Sequence, residues 1–301
     1  MSEPAQSRPL VGIFWMIVTG LCFVAVTALV KFMGPGMPAQ QSAFIRYLLG
    51  LIFLLPLLRK MFADSITPVL WAQFGLRGAL HSMGVALWFF SMTRIPIADV
   101  TAINYLAPIY VTIAAALFLG EKLAFRRITA VVMALIGAMI ILRPGLREIS
   151  TGHWAMMLAA VVFGGSYILA KITVDKANPE IVVGMLSVMV TVCLAPFAFA
   201  VWVPPEWSQI LILFVVAFFA TAGHYTMTIA LAAAPLTVTQ PVTFLQLVWA
   251  ALLGVIVFAE PIDVWVVIGG MIILGSVTFI TWREAVLKRR MVTPPTPATK
   301  I

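Results

Sequence analysis

Ten runs of mainly apolar residues divide the chain, over 10–32, 39–58, 68–92, 96–119, 123–143, 152–173, 180–202, 207–231, 236–258 and 262–282. A run of about 20 such residues matches the ~30 Å hydrocarbon core of a bilayer, so each is predicted to be a membrane-crossing helix. The breaks between runs hold helix-stop residues. Gly34-Pro35-Gly36-Met37-Pro38 separates the first two, Arg143-Pro144-Gly145 ends the fifth, and Asn178-Pro179 and Pro204-Pro205 bracket the seventh.

The pattern repeats. Pro96 and Pro235 each open a span, Glu121 and Glu260 each close one, and both pairs stand 139 residues apart. Phe23 to Lys31 and Phe163 to Lys171 share an eight-residue spacing at an offset of 140. Five spans per half is an odd number, so the second half must cross the membrane in the opposite sense. The predicted fold is therefore an all-α integral membrane protein of ten transmembrane helices in two inverted five-helix repeats, 10–143 and 152–283. A basic cytoplasmic tail, 284–301, rich in Pro and Thr, is expected to be disordered. Inverted repeats mark secondary transporters, with the site where the repeats meet.

Composition agrees with lipid as the solvent. The 301 residues are 62% hydrophobic and 10% charged, with a mean hydropathy of +1.08, against roughly 25% charged in a soluble domain. The net charge of +8 does not point to nucleic acid, because the basic residues fall between spans and mostly on one side. With the N-terminus cytoplasmic, thirteen of the 19 Lys and Arg lie on that side. Lys31, Arg94, Arg143 and Arg147 lie on the other, and Arg46 and Arg77 fall inside spans. The positive-inside rule then places both termini in the cytoplasm of a bacterial-type inner membrane. Trp71, Trp154, Trp202, Trp207, Trp265 and Trp282 stand near span ends, where indoles anchor helices at the interface. Ala130, Ala134 and Ala138 form a small-residue ridge on span five. Cys22 and Cys193 lie in apolar runs and read as inert thiols.

Polar residues within the spans are the candidate chemistry. Arg77, His81, Gly84 and Trp88 share one helical face of span three, presenting a cation, an imidazole, a gap and an indole. Guanidinium pairs with carboxylates and stacks on rings, so this face either meets a ligand or lets Arg77 satisfy a backbone carbonyl. Arg46, a turn or two inside span two, reads as structural. Span four offers Asn104 and Tyr105 beside Pro108, whose ring frees a backbone carbonyl near Asn104. Span nine offers Gln240 and Gln246 beside Pro241. Both halves thus hold a polar, proline-interrupted stretch in the same place. Span eight adds His224 and Tyr225. The expected substrate cavity is Arg77, His81, Trp88, Asn104, Tyr105, His224, Tyr225, Gln240 and Gln246, with His81 and His224 as the groups for proton coupling. Asp99 reads as a helix-start cap, and Glu121 and Glu260 as structural caps of the helices that follow them.

These residues resemble the EamA family of the drug/metabolite transporter superfamily, over about 10 to 283. The likeness is strongest from Ala107 to Leu123, API…FLGEKL, and in the glycine pattern after each glutamate: Gly137 after Glu121, Gly269 after Glu260. Phe23-Val24 and Phe163-Gly164 stand where the family often has Trp-Gly. The resemblance implies a ten-helix bundle with a cavity built from spans one, three, four, six, eight and nine. It also implies export of amino acids or toxic compounds, or import of metabolites such as riboflavin or S-adenosylmethionine.

The expected function is secondary active transport of a small organic metabolite by alternating access, with a passive channel or facilitator as the alternative. The chain carries no selectivity-filter sequence, no HExxH or GxSxG motif and no Walker A loop. No enzyme activity, catalytic residue, metal or cofactor is therefore expected. The partners are the small molecule and membrane lipid, with room for a homodimer.

Overall fold

A computed structural model describes residues 8–61, 66–118, 125–146, 148–174, 176–177, 179–234, 239 and 241–292. Eleven helices account for nearly all of them: α1 Pro9–Met33, α2 Ala39–Met61, α3 Pro68–Met92, α4 Ile97–Asn104, α5 Ala107–Phe118, α6 Phe125–Leu142, α7 Thr151–Val174, α8 Pro179–Ala200, α9 Trp207–Ala233, α10 Phe244–Phe258 and α11 Val264–Val292. No β-strand occurs among the described residues. Five helices are long and apolar enough to cross a membrane by length and composition, within Pro9–Gly36, Thr151–Ala170, Ile181–Ala200, Trp207–Met227 and Val264–Arg283. Shorter apolar stretches lie in α2, α4–α5, α6 and α10.

Local chemistry sets the ends. Proline occupies the first turn of α1 and of α3, and the Thr67 hydroxyl accepts from the Leu70 amide 3.3 Å away. Glu206 and Gln209 form a reciprocal capping box at the start of α9. Gly34, at φ 73°, ends α1 in a conformation closed to most side chains. Two spans are broken. The fourth splits into α4 and α5 at Tyr105-Leu106, just before Pro108. The ninth passes through a 3-10 turn at Pro241–Thr243 before α10. The last helix runs on to Val292, so the first residues of the basic tail are helical.

The packing has two-fold character. Under the repeat, α1 corresponds to α7, α2 to α8, α3 to α9, α4–α5 to the ninth span and α6 to α11. The extensive α1–α9 contact is matched by α3–α7, and α3–α8 by α2–α9. The α5–α7 contact is matched by α1–α10. The pairs α2–α8, α6–α11 and α4–α10 each map onto themselves. Exchanging the halves carries the largest of these contacts onto one another, as a two-repeat bundle requires.

The exterior is apolar. Leu10, Phe14, Leu21 and Phe32 of α1 are exposed, and so are all six tryptophans placed at span ends. Buried positions include Thr19, Gln41, Arg46, Arg77, His81, Asp99 and His153. Polar groups inside and apolar groups outside is the arrangement of a multi-pass membrane protein.

Helices α6 and α11 approach through glycine. A β-carbon on Gly137 would lie 2.7 Å from the Gly269 carbonyl oxygen, and one on Gly269 would lie 2.5 Å from the Gly137 carbonyl oxygen. Ala130, Ala134 and Ala138 are buried along the same helix. Gly137→Leu is therefore expected to lower stability by about 1–3 kcal/mol, as overpacking does. Gly275→Leu, where nothing lies within 4 Å, is expected to be neutral. Thermal unfolding of the two purified variants in detergent checks the contrast; equal effects would show that the glycine contact is not limiting.

Candidate functional site

Helices α2, α3, α7 and α9 enclose a cluster of cations and rings. Arg46 and Arg77 are each 7% exposed. Arg77 donates from Nη1 to the Val182 carbonyl at 3.0 Å, and its Nε has no partner among the described residues. The Arg46 guanidinium lies 3.9 Å from the centre of the Tyr47 ring. His81 is buried, with Nδ1 3.2 Å from the Ser166 hydroxyl. His81 and His224 sit within electrostatic reach of each other and of both Arg46 and Arg77. Tyr47 and Tyr167 lie within electrostatic reach of Arg77.

A set of rings continues from His81. Its centroid is 5.0 Å from Phe163 and 6.4 Å from Tyr47. Phe163 in turn lies 6.5 Å from Trp88 and stacks on Tyr167 at 6.3 Å. Gly84 makes room, since a β-carbon there would come within 2.7 Å of the Phe163 ring. Tyr167, stacked on Phe163, is 45% exposed.

The two broken spans meet beside this cluster. The Tyr105 hydroxyl donates to the Thr243 carbonyl at 2.7 Å, so a phenol from one break satisfies a carbonyl in the other. Asn104 Oδ1 and Trp249 Nε1 are buried without partners among the described residues, which marks sites where water or a ligand completes the bonding. Gln246 packs against Gly20 of α1, with Gln246 Cβ 3.4 Å from where a β-carbon on that glycine would stand.

Several expectations change. Tyr225 is 67% exposed and continues the outward stripe of Trp207, Leu211, Phe214 and Phe218, because seven residues are nearly two full helical turns. His224, one position earlier, faces Phe23 at 5.2 Å instead. Span two contributes Arg46 and Tyr47 to the cluster, although the resemblance gave it no part in the cavity. Gln240 and Glu121 lie outside the described residues.

Charge pairs close one end of the bundle, and each of the three among the described residues joins the two halves. Lys31 at the end of α1 pairs with Glu260 at 2.5 Å and donates to the Ile95 carbonyl at 2.8 Å. Glu260 is structural, but it caps α4 rather than the helix that follows it, accepting from the Ile97 amide at 3.1 Å. Asp263 supplies the cap of α11 through the Trp265 amide and also pairs with Arg143. Asp99 stands in the first turn of α4, and its Oδ2 also lies 2.9 Å from His153 Nε2, with both side chains buried. Arg143 and Ala259, the two non-glycine residues with left-handed φ among those described (43° and 52°), both sit at this end. None of these pairings has a local signal, because the partners are 54 to 229 positions apart in the chain.

Comparison with known proteins settles the family. The sequence profile of the EamA-like transporter family matches residues 10–143 and 150–282. The chain belongs to that family. It is 29% identical to a riboflavin transporter of Rhizobium johnstonii, over 94% of this chain and 95% of the relative. It is 25% identical to an S-adenosylmethionine uptake transporter of Rickettsia felis, over 91% and 94%. A pseudopaline exporter of Pseudomonas aeruginosa is also 25% identical, over 87% and 93%. A solved crystal structure shares the fold with a TM-score of 0.57 at 18% identity, covering 94% of this chain and 98% of its own. The EamA-like chain is thus a membrane transporter and not an enzyme.

The Lys31–Glu260 pair is half-enclosed, with side chains 18% and 13% exposed. Glu260→Gln leaves Lys31 without its counter-charge and is expected to lower stability by about 3 kcal/mol. The double variant Lys31→Met, Glu260→Met is expected to recover most of that loss. Denaturation of the single and double variants measures the coupling, and independent, additive effects would mean the pair contributes nothing as a pair.

Proposed function

We propose that this EamA-like chain is a secondary active transporter that carries a small organic metabolite across the bacterial inner membrane by alternating access, with both termini in the cytoplasm. The observation that carries this reading is a polar, ring-lined interior shared by both halves, with broken spans beside it and charge pairs between the halves at one end. Discontinuous helices in matching positions of two repeats are a recurrent framework for substrate sites. The lysine and arginine distribution puts the paired end on the outside.

In this mechanism Lys31–Glu260, Arg143–Asp263 and Asp99–His153 form the outer barrier while the site is reached from the cytoplasm. Rocking of one half against the other separates the pairs and opens the site outward. Arg77, His81, Trp88, Asn104, Tyr105, His224 and Gln246 hold the substrate or shape its chamber. His81 and His224 are the side chains of the cluster whose ordinary titration lies closest to neutral, so they carry the coupled proton. Relatives named for riboflavin and for S-adenosylmethionine make these two compounds the first candidates.

Two measurements test the proposal. Cells expressing the chain are compared with empty-vector cells for all small metabolites inside and in the medium, with and without labelled riboflavin and S-adenosylmethionine. A compound concentrated on one side against its gradient is expected; equilibration without concentration would favour the passive facilitator instead. In a background lacking Cys22 and Cys193, Lys31→Cys and Glu260→Cys joined by a thiol cross-linker are expected to stop transport, and cleaving the linker to restore it. Transport that continues with the outer pair locked would rule out alternating access through this barrier.

A further inference from the structure

The exposed side chains of α7 form one outward stripe, with a single large ring set apart from it. Trp154, Leu158 and Val161 make the stripe. An α-helix turns about 100° per residue, so Tyr167, nine positions after Leu158, points about 180° away from it. Its neighbours fix the same direction. Ser166, on one side, meets His81 of α3 at 3.2 Å. Gly164, on the other, lies against α5, where a β-carbon would stand 3.3 Å from the Ala107 carbonyl oxygen and 3.3 Å from Tyr110 Cβ. Tyr167 therefore faces inward between α3 and α5. Met156, Ala160 and Phe163 share this inner face and are buried, whereas Tyr167 is nearly half exposed. The inner face of α7 is thus filled as far as Phe163 and open at Tyr167. The opening lies about 20 Å along the helix from His153 and the closed end of the bundle.

The ring at this opening is held in place from behind. Phe163 stacks on Tyr167 with the two planes only 20° apart, so the exposed part of Tyr167 is its other side and edge. Phe163 is fixed in turn by His81 at 5.0 Å and by the edge of Trp88 at 6.5 Å. A flat ring laid on the open side of Tyr167 would extend a stack that already exists, gaining both burial and aromatic contact without reordering the protein. The other half has no such ring. Phe23 and Thr27 stand 140 positions before Phe163 and Tyr167. Thr27 is buried and donates to the Phe23 carbonyl at 3.0 Å. An open tyrosine is therefore not something the packing of the repeat requires.

We propose that Tyr167 is a specificity-determining residue of the transport site, and that the cargo carries a flat aromatic or heteroaromatic ring that stacks on its open side. Phe163 is the positioning residue that holds Tyr167 from behind. The inference rests on the transporter reading above.

Two measurements on the full-length chain test this. The first asks where Tyr167 points. In a background lacking Cys22 and Cys193, Tyr167→Cys in open membrane fragments is expected to react with a charged maleimide, and Leu158→Cys on the outward stripe is not. An inert cysteine at 167 would overturn the proposal. The second measures binding to purified protein in detergent by equilibrium dialysis of labelled probes, each ring compound set against its ringless counterpart: riboflavin against ribitol, adenosine against ribose, and tryptophan against alanine. At least one ring compound is expected to bind more tightly than its counterpart. Tyr167→Leu is expected to weaken that binding about tenfold, the scale of losing one stacked ring, while Tyr167→Phe keeps the ring and the affinity; Tyr167→Met serves if the leucine variant does not fold. A purely structural tyrosine would not produce this dependence on the ring of the probe. No preference for any ring compound, or binding unchanged in the leucine or methionine variant, would overturn the proposal. Metabolite profiling separates the two readings: transport of a ringless compound would leave the transporter standing and remove the stacking site, whereas ring binding lost in Tyr167→Leu without any transport would do the reverse.

Discussion

In hydrocarbon there is no water to take up an unused hydrogen bond, so every polar group inside a membrane bundle must find its partner in the protein. In this chain the partner comes repeatedly from the other half. Thr19 meets Thr226 at 2.9 Å, Ser91 meets the Gly152 carbonyl at 2.9 Å, and Gln41 exchanges two hydrogen bonds with the Val203 backbone. Arg77 reaches Val182, His81 reaches Ser166 and Tyr105 reaches Thr243. Neither repeat is polar-complete by itself, and that mutual dependence holds two five-helix units together where lipid gives little apolar incentive to associate.

The same dependence makes the interface between halves a place of function. A polar contact between rigid halves can exist in two arrangements only if another partner, or water, replaces it in the second. In the proposed cycle the charge pairs between the halves are of that kind: they are partly exposed or close to loops, and water would take them over when they part. The arginine and histidine cluster is different: it lies on α2, α3 and α9, helices without acids.

The broken spans show how backbone serves both purposes. Pro108 prevents a continuous helix, and the chain turns at Tyr105-Leu106. The break is tolerable because Tyr105 lends its hydroxyl to the carbonyl at Thr243 in the other break. Asn104 Oδ1 is left over, buried and aimed at no protein group among the described residues. A small cavity between Pro96, Asp99, Glu260 and Asp263 remains where the halves meet at the end that carries the charge pairs. Packing is thus dense where α6 meets α11 through glycine and looser beside this cavity.

Much of this was legible in the chain alone. The helices, the two repeats, the outward tryptophans and the interruptions in spans four and nine follow from residue spacing, because span length, helix breaking and small-residue contact are local properties. So does the single face of Arg77, His81 and Trp88. Which way a residue near a face boundary turns is not local, and so Tyr225 points outward while His224 points to Phe23. Nor is the choice of partner: Glu260 carries the same adjacent proline whether it caps its own helix or α4, and Asp99 has no neighbour that announces His153. Arg46 looks like an ordinary charge near a helix end until α3 and α9 place His81 and His224 within its reach. Sequence determined what each helix is and which of its faces is polar. Tertiary structure decided which polar faces meet, because in lipid a buried charge is settled by whichever group three-dimensional packing brings beside it.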